Sequence, residues 1–463
     1  MILKHISGFQ RLALLVIVLL AVSLGFVAYL FGTAAPMQVP SLTQMLSEKS
    51  YSALEQQLND LQKDYLNSQG SNHALADALT NLGRPGLVDT KQRLDDWVAA
   101  MPQSAFALAT RGQYRHEVAW MYRGTNYWNK VPEKRRAQFM NNLNRSWDDL
   151  WAALKLNPDL GPARTRLVQS SHAKGDGQGA TALYDEGYRR APLDANLQAA
   201  RLWGLQPKWG GSTGQIAEFL HLLEANSKTA EAKTLTNTMR ALSLSDQADD
   251  VYNNEKQYQR LLLEAHQLAP KHSTILRKLG EFYLRKDNLP EAAQYLDAAL
   301  QSNALDADIW AARARLKFKQ NDRVGSTAAY TEAAELGDTG AMLRLVYIYM
   351  ENFEGSVMNS SDGLAARRWA QLATAYNDDP TGQVLMGMIY EIGYGGEKIP
   401  EEALRFYSRA AAQGDGDGQA RLGLMLWEGR GTAANRDKAV ELWQAAAAND
   451  HAWAQQLLAS HPH

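Results

Sequence analysis

Few positions in this chain carry residue types that do chemistry, and their spacing is poor for it. GDGQGA at 175–180 sets three glycines close together, as a loop that cradles phosphate does. No strand pattern precedes it and no Lys-Ser/Thr follows, so it reads as a turn between two helices. GDGDG at 414–418 has the opening of a calcium loop but lacks the third acidic position and the distant glutamate. His116-Glu117 lacks the second histidine of a zinc-protease helix. His172, His221, His266, His272 and His451 are scattered without metal-ligand spacing. DQADD at 246–250 reads as an acidic turn between helices, with weak cation binding as the alternative. Cysteine is absent, which removes disulfides, thiol catalysis and cysteine-based metal sites together. The sequence therefore predicts no catalytic residue, no metal and no cofactor.

Two features are suited to recognition instead. Trp97, Trp120, Trp128, Trp147 and Trp151, five of the 12 tryptophans, fall in one short zone. They read either as a bulky core sealing the end of a helical stack or as an aromatic recognition pocket. Further on, Arg277, Glu281 and Arg285 share an outward helix face with their counterparts 34 residues on, Ala311, Arg315 and Lys319, and Arg277, Arg285, Arg315 and Lys319 make a basic strip with Phe318 beside it and Glu281 within it. Such a strip suits an acidic or C-terminal peptide segment, because guanidinium and ammonium groups pair with carboxylates. An ordinary solvated helix face is the plainer reading.

The elements that must position these residues are helices. Within 273–340 the chain repeats itself at an interval of 34 residues. Small residues recur at Gly280/Ala314, Ala292/Ser326 and Ala299/Ala333, and large ones at Leu276/Trp310 and Leu296/Tyr330, with Leu279 among the packing positions. Two helices joined by a polar turn, with small residues where they cross, produce this pattern. It resembles the tetratricopeptide repeat, whose period is the same. A further hairpin fits 161–194, with Gly175 and Gly187 at small positions and Pro192 closing it. From 341 the loop inside each hairpin changes. MGMIYEIGYGG (386–396) and LGLMLWEGRGT (422–432) align Gly387, Gly393 and Gly395 with Gly423, Gly429 and Gly431, and Ala403 with Ala439. This resembles the Sel-one-like repeat, a tetratricopeptide relative with a glycine-bearing loop. An imperfect copy at 341–377 has Arg344 in place of glycine. The Trp-rich stretch resembles an uncharacterised bacterial domain that precedes such repeats. It should form a helix at 105–123 and a second at 147–156, with an insertion between them that includes 127–136.

At the N-terminus, Lys4 and Arg11 precede residues 12–31, which carry no charge. Twenty apolar residues as a helix span about 30 Å, enough for a bilayer core. The next basic residue is Lys49, so Met1 should stay in the cytoplasm and the remainder be exported. A cleaved signal peptide is the alternative, although Pro36 directly follows the poor cleavage match Thr33-Ala34-Ala35. Lys+Arg 48 against Asp+Glu 50 gives no whole-chain case for binding nucleic acid.

The expected architecture is all-α: one N-terminal transmembrane helix followed by a right-handed α-solenoid of tetratricopeptide and Sel-one-like hairpins. Its parts are a cytoplasmic tip and anchor (1–35), a linker and helical segment (36–102), a Trp-rich hairpin with insertion (103–160), tetratricopeptide-like repeats (161–340) and Sel-one-like repeats with a capping helix (341–463). The resemblance implies a non-enzymatic scaffold or adaptor, and the apolar run with its basic flank puts it in a bacterial inner membrane. It would face the periplasm and grip partner proteins by its groove. Alternatives are a periplasmic immunity protein that neutralises a secreted lipase-type effector, and a carbohydrate-binding or hydrolytic module in the Trp-rich zone.

Overall fold

A computed structural model of the chain describes residues 41–85, 89–124, 128, 131–351, 361–377 and 379–461. The expected membrane span at 12–31 lies outside these residues, and among the described residues no helix is long and apolar enough to cross a membrane. The described residues are helical throughout, without strands.

Four helices open the chain: α1 (Leu42–Ser47), α2 (Tyr51–Asn67), α3 (Ala74–Leu82) and α4 (Thr90–Ala100). Antiparallel hairpins follow, with α5 (Ala105–Arg123) against α6 (Glu133–Leu156), α7 (Gly161–Ala173) against α8 (Gly177–Arg190) and α11 (Ala230–Asp250) against α12 (Glu255–Leu268), while α9 (Ala195–Gly204) and α10 (Thr213–Ala225) both pack on α11. The series continues with α13 (Ser273–Arg285) and α14 (Leu289–Ser302), α15 (Ala307–Lys319) and α16 (Arg323–Glu335), and α17 (Thr339–Glu351) and α18 (Ser361–Asn377). It ends with α19 (Pro380–Ile392) and α20 (Pro400–Ala412), α21 (Gly416–Glu428) and α22 (Arg436–Ala447), and the half-repeat α23 (Ala452–Ser460). The architecture of the described residues is an all-helical stack of hairpins.

Local chemistry starts the helices. Asp176, Asp194, Asp306, Asp322, Asp379 and Asp415 each cap a helix N-terminus by accepting a backbone N–H in the first turn. GDGQGA and GDGDG are thus turn-and-cap segments. Gly175 and Gly414 take φ of 79° and 81°, and the following aspartate accepts from Gly179 N and Gly418 N at 2.8 and 2.7 Å.

Small residues then let the paired helices close. A Cβ on Gly280 would meet Leu296 Cγ at 2.6 Å; on Gly387 it would meet the Tyr407 ring at 2.4 Å, and on Gly423 the Trp443 ring at 2.3 Å. Gly393 and Gly429 end their helices in the left-handed region, with φ of 75° and 71°. Leu279, Ala292, Ala299 and Ala439 have no exposed surface.

The structure departs from the sequence reading in three places. The helix expected to start at Trp147 starts at Glu133 instead, so most of the supposed insertion is helical. Pro132 sets its entry, and Phe139, Leu143 and Leu150 continue one buried stripe along it. DQADD is the last turn of α11 rather than an inter-helix turn; the turn is formed by residues 251–254. Lys278 fastens that last turn, donating to the Ser245 carbonyl and pairing with Asp249 at 2.8 Å. Ala311, expected on the groove face with Arg315 and Lys319, is buried against the neighbouring hairpin.

One core runs from Met45 through Ala200, crossing the boundaries drawn at 102/103 and 160/161. Tyr65 Oη donates to Asp194 at 2.8 Å and Leu193 N to the Gln69 carbonyl at 3.0 Å, so the opening helices are seated on the first repeats. The stack also curls back on itself. Met121 of α5 packs on the cluster around Trp369 and Leu385, α5 touches α18, and Arg84 donates to the Leu305 carbonyl at 2.5 Å.

Candidate functional site

One cavity on the inner wall has a volume of about 730 Å³ and is built by α13, α15, α16 and α17, with α11 and α12 at one side. All six residues of the sequence-read strip line it: Arg277, Glu281, Arg285, Arg315, Phe318 and Lys319. Helical spacing explains why. Arg277, Glu281 and Arg285 are three turns of one face of α13, and Arg315 and Lys319 stand at equivalent places on α15. Sequence reasoning missed Lys278, Arg323, Arg344, Tyr252, Tyr258 and Tyr330, which share the lining. Arg344 was visible only as an irregularity, a basic residue where the related repeats carry glycine.

Electrostatics distinguish this cavity. Seven cationic side chains line it (Arg277, Lys278, Arg285, Arg315, Lys319, Arg323 and Arg344) against three carboxylates, Asp249, Glu281 and Glu351. Glu281 is shared: it accepts from Arg277 at 2.9 Å and from Arg315 at 2.7 Å. Lys319 pairs with Asp287 at 2.7 Å, outside the lining. Arg285 lies over the rings of Tyr252 and Tyr258, 4.6 and 5.3 Å from their centroids, in a cation–π arrangement. Phe318 is 60% exposed beside these cations. An apolar ring among under-compensated guanidinium groups can receive a carboxylate-bearing segment with an apolar neighbour.

A second cavity, of about 470 Å³, lies on the wall formed by α5, α7, α9 and α11. Of the five clustered tryptophans only Trp120 reaches it. Trp97 is fully buried, Trp128 sits on Phe139 between Arg123 and Arg136, and Trp147 pairs with Trp151. The cavity's other indoles, Trp203 and Trp209, come from the next repeat, beyond the Trp-rich zone. Trp120 Nε1 donates to His116 Nε2 at 2.9 Å, which leaves His116 Nδ1 to donate to Ser170 Oγ at 3.2 Å. Burial, with Arg166 nearby, holds the His116 imidazole well below its ordinary range, so it is neutral. Burial likewise raises the Asp246 carboxyl, against the opposing pull of Lys278 and Lys208. Among the described residues no group of three or more His, Cys, Asp or Glu is placed to hold a metal ion.

Comparison with known proteins places repeats at the C-terminal end. Residues 380–415 and 416–451 match the Sel1 repeat, and residues 38–156 match a domain of unknown function, DUF4034. No curated protein matches the chain. Among solved structures the chain is similar to a Sel1 repeat protein from Oxalobacter formigenes (21% identity, TM-score 0.39, covering 46% of this chain and 86% of that one). It is also similar to c5321, a protective antigen of uropathogenic Escherichia coli displaying an SLR fold (16% identity, TM-score 0.45, 89% of each chain). Yeast Tom70 is a third (12% identity, TM-score 0.36, 91% and 96%). At these TM-scores the likenesses carry no argument about function. The Sel1 matches support the repeat resemblance read from the Gly387 and Gly423 stretches, and a repeat scaffold of this kind implies protein partners in general.

Proposed function

We propose that this protein is a non-enzymatic bacterial scaffold, held in the inner membrane by residues 12–31, whose solenoid faces the periplasm and binds an acidic segment of a partner protein in the basic cavity. One observation carries the reading: seven cationic side chains against three carboxylates around an aromatic-bearing hollow of about 730 Å³. Complementary charge of this kind speeds encounter and fixes register. The apolar run at 12–31 and the basic residues before it support the anchor and its orientation.

The test is a fluorescent peptide of alternating Glu and Asp with a free C-terminal carboxylate, titrated with the full-length chain. Reversing two cations, Arg277→Glu with Arg315→Glu, should weaken binding by at least about thirtyfold. Cross-linked co-purification from intact membranes should lose the same partner in that variant. Unchanged binding in the double variant overturns the reading. Orientation is tested separately: a C-terminal reporter active only outside the cytoplasm should report activity, and a cytosolic C-terminus overturns the location.

A further inference from the structure

The second cavity is chemically unlike the first. Trp203 and Trp209 lie 4.3 Å apart between centroids, tilted by 41°. Trp120 stands 6.0 Å from each, nearly perpendicular at 81° and 88°. The three rings therefore touch one another. A cage for an ammonium group needs its rings spread around the ion; here the space between Trp203 and Trp209 is filled by the rings themselves. What remains is a platform of Trp203 and Trp209 with Trp120 upright against it, and all three line the hollow.

Beside the platform runs a strip of planar polar groups already bonded among themselves. Arg166 donates to Gln169 at 2.8 Å and to Gln113 at 2.5 Å, and it pairs with Glu117 at 3.2 Å. On the far side Asp246 accepts from the Gln206 amide. Arg166 is matched by Glu117, and the remaining carboxylate of the lining, Asp246, is opposed by Lys278 and Lys208 from outside it, so the charges around the hollow largely offset one another. Covering it with a purely apolar side chain would strand the free amide of Gln169 and the free lone pairs of the carboxylates. A ligand that satisfies both surfaces has C–H bonds on one face and hydroxyls at its edge. The volume of about 470 Å³ lies within the range of small-ligand sites, about 300–1,000 Å³.

We propose that this cavity is a saccharide-binding subsite: the Trp120/Trp203/Trp209 platform stacks on the C–H face of a neutral pyranose ring, and Gln169, Glu117 and Asp246 hydrogen-bond its hydroxyls. The site is separate from the basic cavity and does not depend on the acidic-segment reading. The indole faces attract the slightly positive C–H bonds, as they attract the edges of other rings. The pre-bonded strip loses little freedom on binding, because Arg166 already holds Glu117 and Gln169 in place.

The experiment is saturation-transfer NMR on the full-length chain in a detergent without a sugar headgroup, with chitotriose, cellotriose and maltotriose as probes at millimolar concentration. At least one should receive saturation on its ring protons. Affinity should fall at least about tenfold in Trp209→Ala and in Gln169→Ala, with helical circular dichroism unchanged. Arg315→Glu should leave it as it was. The proposal is overturned if none of the three sugars receives saturation, or if both cavity variants bind as the wild type does. Saturation transfer to tetramethylammonium that is lost in Trp209→Ala, with none to the sugars, would likewise overturn it, in favour of a cation site.

Discussion

Along the inner wall, α5, α7, α9 and α11, with the short turn after α9 that carries Trp209, present three indoles and a self-paired polar strip, whereas α13, α15 and α17 present an excess of guanidinium and ammonium groups around one exposed phenyl ring. The backbone geometry of the two stretches is alike: first helices of successive hairpins, set side by side. Only the residues at the inward positions differ. The last turn of α11 separates them, with Asp246 lining one cavity and Asp249, fixed by Lys278, lining the other. A repeat scaffold fixes where side chains point and leaves their identity free, so neighbouring stretches can recognise unlike chemistry. In the aromatic stretch the wall holds itself together. In the basic stretch part of the wall awaits a counter-charge.

The comparison breaks first on stability. Trp203→Ala removes a ring packed on Trp120, Trp209 and His172 and should cost about 3 kcal/mol. Phe318→Ala truncates a side chain that is 60% exposed and should change stability by no more than about 0.5 kcal/mol. Urea midpoints at unchanged slope measure both. A large loss in Phe318→Ala would mean that its ring is structural rather than presented.

Glu281→Gln sharpens the electrostatic half. Arg315 pairs with this carboxylate, and Arg277 shares it while also lying 3.8 Å from Asp308. Removing its charge while keeping its shape should tighten the acidic peptide by about 1–2 kcal/mol, or roughly five- to thirtyfold. Weaker binding, read by anisotropy, would show that Glu281 organises the guanidinium groups rather than competing with the ligand.

How much of this was legible beforehand depends on the range of the interaction. The hairpins of 273–340 were readable because Gly280 must admit Leu296 and Asp322 must cap α16, both local demands. The six-residue strip followed by counting along helices. Residues 133–146 were not readable as helix. Their asparagines are poor helix formers, and the burial of Phe139 and Leu143 that overrides them comes from the neighbouring helix and is invisible in sequence. Trp120 and Trp203 are separated by a whole hairpin, so clustering in sequence drew attention to Trp97, which is core, and away from Trp209. The contact of α5 with α18 depends on the summed curvature of many repeats, and no single repeat encodes it.

Salt should separate the cavities by a smaller margin. Raising ionic strength from about 0.1 M to about 1 M shortens the screening length from about 10 Å to about 3 Å. Acidic-peptide affinity should fall about tenfold, while trisaccharide affinity should change less than about twofold. Equal sensitivity in the two would mean that the aromatic cavity also selects charge.

The smallest expected effect tests whether Asp246 is kept for stability or for contact. Its carboxyl is raised by burial, so the folded chain releases that proton less readily than the unfolded chain does. Above the folded value the ionised group therefore weakens the fold; below the ordinary carboxylate value both states hold the proton and the penalty disappears. Asp246→Asn keeps an acceptor for Gln206 and removes the charge, so it should stabilise at neutral pH, by at most about 1 kcal/mol. That advantage should shrink as pH falls through the folded value and vanish in acid. Thermal melts of both proteins across that range measure the difference. A variant less stable than wild type at neutral pH would make Asp246 a structural carboxylate, tied to Gln206 and the nearby lysines. A more stable variant that has lost sugar affinity would mark a charge retained at a cost to the fold, as binding groups commonly are.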